Sequence, residues 1–159
     1  MPGAGFTFTV SPVHPIFTAH RAYGKFGHGA RGNPAPAGWN MAKIILAEDD
    51  SDMRRFLVKA LQNAGYDVIS FDNGLSAYQR LREEPFELLL TDIVMPEMDG
   101  IELARRATEL DPDIKIMFIT GFAAVALSSD STAAKNAKVL SKPVHLRELV
   151  NEVQKMLAA

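Results

Sequence analysis

The sequence predicts an α/β protein built on a doubly wound, five-stranded parallel sheet. Three observations predict it. Short apolar runs of strand length recur between residues 44 and 141. The segments between them carry apolar residues at helical spacing. Five such β–α alternations in about 117 residues imply parallel strands joined by crossover helices.

The first strand is Ile44-Ile45-Leu46-Ala47. After it, Met53, Phe56, Leu57, Ala60, Leu61 and Ala64 fall on one helical face, with Ser51 as the expected N-cap and Gly65 as the stop. Val68-Ile69-Ser70-Phe71 reads as the second strand. Asn73 is placed to cap a helix over Leu75, Tyr78 and Leu81 that Pro85 ends. The third strand is Leu88-Leu89-Leu90-Thr91, and Asp99-Gly100 then leads into a helix reaching about Leu110, closed by Asp111-Pro112. Ile116-Met117-Phe118-Ile119 is the fourth strand. Residues 123–136 are rich in small side chains and give a weak helical pattern. Val139-Leu140-Ser141 is the fifth strand, and Leu146, Leu149, Val150, Val153 and Leu157 mark a last amphipathic helix.

Residues 1–40 are of another kind. They hold seven of the 11 Gly, five of the nine Pro and three of the four His, and no Asp or Glu. Without apolar periodicity such a stretch cannot bury enough surface to offset its ordering entropy, so a disordered extension is expected. It has no continuous apolar core of a secretory signal. A start assigned too far upstream, or a leader, would give this composition. Gly27-His28-Gly29-Ala30-Arg31-Gly32 matches a dinucleotide-binding pattern in letters only, since it neither follows a strand nor opens a helix. His14, His20 and His28 are spaced too irregularly for a convincing metal site.

Composition excludes several classes. There is no cysteine, hence no disulfide or thiolate metal site, in keeping with a cytoplasmic protein. No apolar run approaches the roughly 18 residues of a membrane span. Residues 41–159 carry all 19 acids against 14 bases, a poor basis for nucleic-acid binding.

The chemistry gathers at strand ends. Glu48, Asp49, Asp92, Thr120 and Lys142 each lie at or just after one of the apolar runs. In a parallel sheet those ends converge on one edge, where ligands bind. Three carboxylates, a hydroxyl and an ammonium there suit Mg²⁺ and a phosphoryl group. Asp92 is the candidate nucleophile, able to form an acyl phosphate. Asp49, Asp92 and the Val94 carbonyl are candidate Mg²⁺ ligands, with Glu48 reaching the ion through water. Lys142 and Thr120 can hold phosphoryl oxygens. Taken singly, each has a plainer reading: a helix-terminal charge cluster for Glu48, Asp49 and Asp50, which suits Asp50 best, a loop acid for Asp92, a strand-end hydroxyl for Thr120, a solvated lysine for Lys142.

These residues resemble the receiver domain of two-component response regulators, over residue 41 to about 157. Ile45-Leu46-Ala47-Glu48-Asp49-Asp50 resembles the acidic first-strand motif. The run Thr91-Asp92-Ile93-Val94-Met95-Pro96-Glu97-Met98-Asp99-Gly100 is similar to the phosphoacceptor motif, Ile119-Thr120-Gly121 to the switch motif, and Ser141-Lys142-Pro143 to the Lys-Pro motif, whose peptide is usually cis. The resemblance implies residues 41–159 as the receiver domain, a flavodoxin-like fold and strand order 2-1-3-4-5. It implies Mg²⁺ as cofactor and phosphoryl transfer to Asp92 from a histidine kinase or histidine phosphotransfer protein. Thr120 and Lys142 would read the phosphate and move the face around the fourth helix, fifth strand and fifth helix. Val139 and Val144 depart from the pattern, since aromatic residues are common at both places; an aromatic rotamer readout at position 139 is therefore in doubt. Val94 and Phe122 are apolar two residues after Asp92 and Thr120, and are expected to restrict attacking water.

No effector follows within the sequence, so output through a partner surface is expected. Residues 41–46, 53–61, 71–77 and 88–104 further resemble a branch of alphaproteobacterial stand-alone receivers that serve as adaptors. That likeness implies priming of substrate delivery to the ClpXP protease in cell-cycle control, in the unphosphorylated state. Met156-Leu157-Ala158-Ala159 also resembles a ClpX-recognised ending, the alternative being a frayed helix end. On this reading the chain is not an enzyme beyond its own phosphotransfer and autodephosphorylation. Two other readings compete. A Mg²⁺-dependent phosphohydrolase of the haloacid dehalogenase type wants a second Asp two residues after the nucleophile, where this chain has Val94. A non-phosphorylated docking module would not need the complete acidic, Thr and Lys set.

Overall fold

The computed structural model describes residues 41–122, 128 and 130–158. The expected disordered extension over 1–40, with its histidines and glycine pattern, lies outside the described residues, as do 123–127, 129 and 159.

Ten elements alternate along the described chain: β1 (Lys43–Ala47), α1 (Ser51–Asn63), β2 (Asp67–Phe71), α2 (Gly74–Glu83), β3 (Leu88–Thr91), α3 (Gly100–Leu110), β4 (Lys115–Thr120), α4 (Thr132–Lys135), β5 (Lys138–Ser141) and α5 (Leu146–Ala158). The strands form one parallel sheet in the order β2-β1-β3-β4-β5. The central strands are apolar throughout because both faces are covered. Ile45 and Leu89 point into one core with Ala77, Leu103 and Ala104, so α2 and α3 lie on that side, joined there by Ala133 of α4. Ile44 and Leu46 point the other way, into a core with Leu57, Leu61, Leu149 and Val153, under α1 and α5.

Local signals explain the ends. α1 stops in a Schellman arrangement: Gly65 adopts φ 97°, its N–H donates to the Gln62 carbonyl at 3.0 Å, and Tyr66 N–H donates to the Leu61 carbonyl at 3.1 Å. Asn73 caps α2 by accepting the Ser76 N–H at 2.8 Å. Asp99 caps α3 through the Glu102 N–H at 2.8 Å. At α1 the expected cap is corrected. Asp50, not Ser51, accepts the Met53 N–H at 2.9 Å, and Ser51 is already the first helical residue. Of the weak helix expected over 123–136, the described part has Ser128 in helical conformation and the short helix Thr132–Lys135. Among the described residues no helix is long and apolar enough to cross a membrane.

Candidate functional site

The strand order seats β1 and β4 on either side of β3, and β5 beyond β4. Ala47 pairs with Thr91, and Thr120 with Ser141, so these strands finish close to level. The residues that leave them, Glu48, Asp92 and Lys142, therefore meet at one edge although they are far apart in sequence.

Lys142 is the hub. Its ammonium donates to Asp92 Oδ2 at 2.8 Å and to Glu48 Oε2 at 3.1 Å. Glu48 is 1% exposed and Asp92 8%, so both bonds form in surroundings where charge is poorly screened. The second oxygen of each acid is also engaged. Glu48 Oε1 accepts the Asp50 N–H at 3.1 Å. Asp92 Oδ1 accepts the Ile93 N–H at 2.6 Å and, more weakly, the Val94 N–H at 3.4 Å. Burial pushes the Glu48 carboxyl above its ordinary range, against the pull of Asp50 and Lys142. Burial acts on Lys142 in the lowering sense, but hydrogen bonds to Asp92 and Glu48 outweigh it and hold the ammonium above its usual value.

Glu48, Asp49 and Asp92 can each offer a carboxylate oxygen such that the three lie within 4.8 Å of one another. Asp49 is exposed, so the group opens to solvent on one side. An all-oxygen, multiply acidic donor set with water access fits a small hard divalent cation and suits neither a soft metal nor a dry cage. The structure thus brings four of the sequence-predicted residues, Glu48, Asp49, Asp92 and Lys142, into one group. Thr120 is fully buried at the end of β4. Its hydroxyl oxygen accepts the Phe122 N–H at 3.0 Å, and its carbonyl accepts the Lys142 N–H at 2.9 Å. Thr120 is therefore tied to Lys142 through the backbone. The Val94 group that touches Asp92 is its N–H, and the Val94 side chain is 52% exposed. Phe122 is 59% exposed. Val139 is half-buried against the core.

Arg54 and Gly74, which sequence reasoning passed over, shape this edge together with Gly100. Arg54 Nη1 donates to the Glu48 carbonyl at 2.7 Å, which fixes the turn out of β1. Gly100 N–H donates to the Ile93 carbonyl at 2.8 Å, and an ideal Cβ on Gly100 would lie 1.9 Å from the Asp92 carbonyl oxygen. A Cβ on Gly74 would lie 2.6 Å from the Met98 carbonyl oxygen. The two glycines let the loop after β3 press onto the starts of α3 and α2. Within that loop Glu97 adopts φ 67° while Met98 N–H donates to the Pro96 carbonyl at 2.9 Å. The available signals were the Asp99-Gly100 pair, read as a helix start and a motif end, and an arginine one turn after Asp50. The Lys142-Pro143 peptide is cis, as the Lys-Pro resemblance implies.

Comparison with known proteins agrees with this geometry. The family described as the response regulator receiver domain matches residues 44–154. The response regulator receiver protein CpdR of Brucella abortus (strain 2308) is 78% identical over 119 residues, which is 75% of this chain and 99% of that relative. A CheY-like receiver domain protein from Methanospirillum hungatei JF-1 superposes with a TM-score of 0.70 at 28% identity, over 75% of this chain and 95% of that one. The response regulator TrrA of Thermotoga maritima, solved in complex with Mg(2+)-BeF, superposes with a TM-score of 0.66 at 27% identity, over 73% of this chain and 99% of that one.

Proposed function

The chain belongs to the response regulator receiver family, and on that premise we propose that Asp92 is its phosphoacceptor and that phosphorylation switches a protein-binding surface. The observation that carries this reading is the Asp92 carboxylate, held at a strand end by Lys142 at 2.8 Å and grouped with Glu48 and Asp49. The donor is a phosphohistidine on a histidine kinase or histidine phosphotransfer protein. An Asp92 oxygen forms the new O–P bond as the donor's P–N bond breaks, and the leaving imidazole takes up a proton.

Asp49 and Asp92, with Glu48 and the Val94 carbonyl, would hold Mg²⁺. When bound, the ion supplies positive charge to the phosphoryl oxygens. The protein's own residues do the rest. Ile93 and Val94 N–H groups fix the Asp92 carboxylate, leaving the oxygen on the Lys142 side to react. Lys142 then exchanges its bond to Asp92 for one to the phosphoryl group, a charge-assisted contact. The Thr120 hydroxyl, which already accepts from Phe122, keeps its proton to donate to a phosphoryl oxygen. Drawing Thr120 toward the phosphate pulls on the Phe122 N–H, the point at which the event leaves the site.

For output, the 78% identity to CpdR supports the adaptor role implied by the resembled alphaproteobacterial branch: delivery of substrates to ClpXP in cell-cycle control, in the unphosphorylated state. A small acyl-phosphate donor with Mg²⁺ tests the chemistry on wild type and Asp92→Ala. Stable stoichiometric label on wild type alone supports a receiver. Continuous turnover would point to a hydrolase, and no label on wild type to a docking module. Capture of ClpX by the unphosphorylated form, lost on phosphorylation, is the expected result for the adaptor; equal or absent capture in both states would sink that part.

A further inference from the structure

α1 covers the sheet unevenly. Leu57 and Leu61 are fully buried, but the flank of the helix beside β2 leaves a groove of about 500 Å³. Arg54, Arg55 and Lys59 line its helical wall over half-buried Val58. These positions lie on neighbouring rows of one helix side. Ser70 of β2 forms part of the opposite wall. Val68 packs into the core under α1, while Ile69 and Phe71 pack on the other face. By alternation Ser70 shares the α1 side with Val68, and a hydroxyl stands where a larger apolar group would have filled the gap.

Among the described residues β2 ends the sheet and pairs only with β1. Asp67 N–H donates to the Ala42 carbonyl, and the Phe71 carbonyl accepts the Glu48 N–H. The odd-numbered residues of β2 therefore turn their backbone groups inward. Parallel pairing then directs the N–H and C=O of Val68 and Ser70 outward, a strand edge open to another chain.

Among the described residues no carboxylate lines the groove. Asp52 pairs with Arg55 at 2.7 Å, but both partners are highly exposed, so that contact is weak and exchangeable. Arg54 is held by the Glu48 carbonyl, and Lys59 has no ion pair among the described residues. The patch stands out because residues 41–159 as a whole are acidic.

The geometry points to this groove as a docking site for an extended acidic segment of a partner protein, added beside β2 with alternate carboxylates on Arg55 and Lys59. A strand edge offers donors and acceptors in alternation. A peptide backbone answers both, whereas a phosphodiester backbone offers acceptors only. A single row of cations on an acidic domain is also a small footprint for nucleic acid. The site lies apart from the Asp92 edge and does not depend on phosphoryl transfer, although Arg54 borders both.

The test uses the isotope-labelled full chain with Asp92 unphosphorylated. The probe is a peptide of about six alternating Glu and Val residues, a typical strand length, with a Lys-Val counterpart and an oligothymidine of equal length as controls. Saturable shifts of the Val68 and Ser70 amides are expected with the acidic peptide alone. Arg55→Glu combined with Lys59→Glu should weaken binding about tenfold while leaving amide dispersion and Mg²⁺ affinity unchanged. If that double variant does not fold, Lys59→Gln alone should still weaken binding severalfold. No saturable shifts up to millimolar peptide, an equal response to the Lys-Val peptide or oligothymidine, or charge variants that bind as wild type would each overturn the site.

Discussion

An ideal Cβ on Gly100 would lie 1.9 Å from the carbonyl oxygen of Asp92. The glycine that opens α3 is thus a spacer for the residue proposed to carry the phosphoryl group. Gly100→Ala should push the loop after β3 off the sheet edge. A stability loss of roughly 1–3 kcal/mol is expected, in the range of overpacked interiors, together with slower acyl-phosphate labelling of Asp92. Urea denaturation and a labelling time course check both. Labelling that stays at the wild-type rate in a destabilised variant would show that the glycine serves the fold alone.

Removing the Lys142 ammonium should separate metal binding from phosphoryl reading. Lys142 competes with any cation for Asp92 Oδ2 and Glu48 Oε2. Lys142→Ala should therefore tighten Mg²⁺ binding, by about fivefold if the relieved repulsion is about 1 kcal/mol. Phosphoryl uptake should fall in the same variant. Calorimetric titration with Mg²⁺ reads the first effect; weaker binding would mean that Lys142 organises the acids rather than competing for them.

The α1 cap offers a matched pair of substitutions. Asp50→Ala removes the acceptor of the Met53 N–H and should cost about 1 kcal/mol. Ser51→Ala, one residue on and inside the helix, should stay within about 0.5 kcal/mol. The order of the two urea midpoints decides which residue caps.

Glu102 carries an acid-sensitive contribution. Hydrogen bonds from Arg105 and then Arg106 hold its carboxyl down at about 2, against an ordinary 4.5. A lowered folded value means stability that is present above pH 4.5 and lost as pH falls toward 2. The pairs are partly exposed, so the contribution is below about 1 kcal/mol. Glu102→Gln should therefore lose a little stability at neutral pH, and its gap to wild type should close between pH 4.5 and 2. A gap that widens on acidification would reverse the assignment.

Phe122 and Val94 flank the acidic edge with side chains open to solvent. Phe122→Ala should shorten the life of the phosphorylated state by admitting water more freely to the acyl phosphate. Decay of the label after donor removal measures it, and an unchanged half-life would count against a shielding role.

The strands were readable because their central residues are continuously apolar. Their first residues were not. Lys43, Asp67, Lys115 and Lys138 begin four strands, yet each is charged and lies at the outer end of the sheet, where the ladder continues without burial. Asp50 was read as a general charge at a helix start because nothing in one dimension shows that its oxygen reaches the Met53 N–H. The chemical parts of the site were legible as residue types at strand ends. Their wiring was not: the contact of Lys142 with both Glu48 and Asp92 arises only from strand order. Gly100 was legible as the start of a helix and Gly74 was not singled out, because the carbonyls they make room for come from elsewhere in the chain, Asp92 and Met98.

Lys142 stands 94 residues after Glu48 and 50 after Asp92. During synthesis the acids emerge first, and the ammonium that joins them arrives with the last strand. A chain halted before β5 would carry buried acids with no counter-charge, an arrangement that resists compaction. Only the finished sheet sets an ammonium among these acids, so the phosphoryl contact proposed for Lys142 waits until translation has delivered β5.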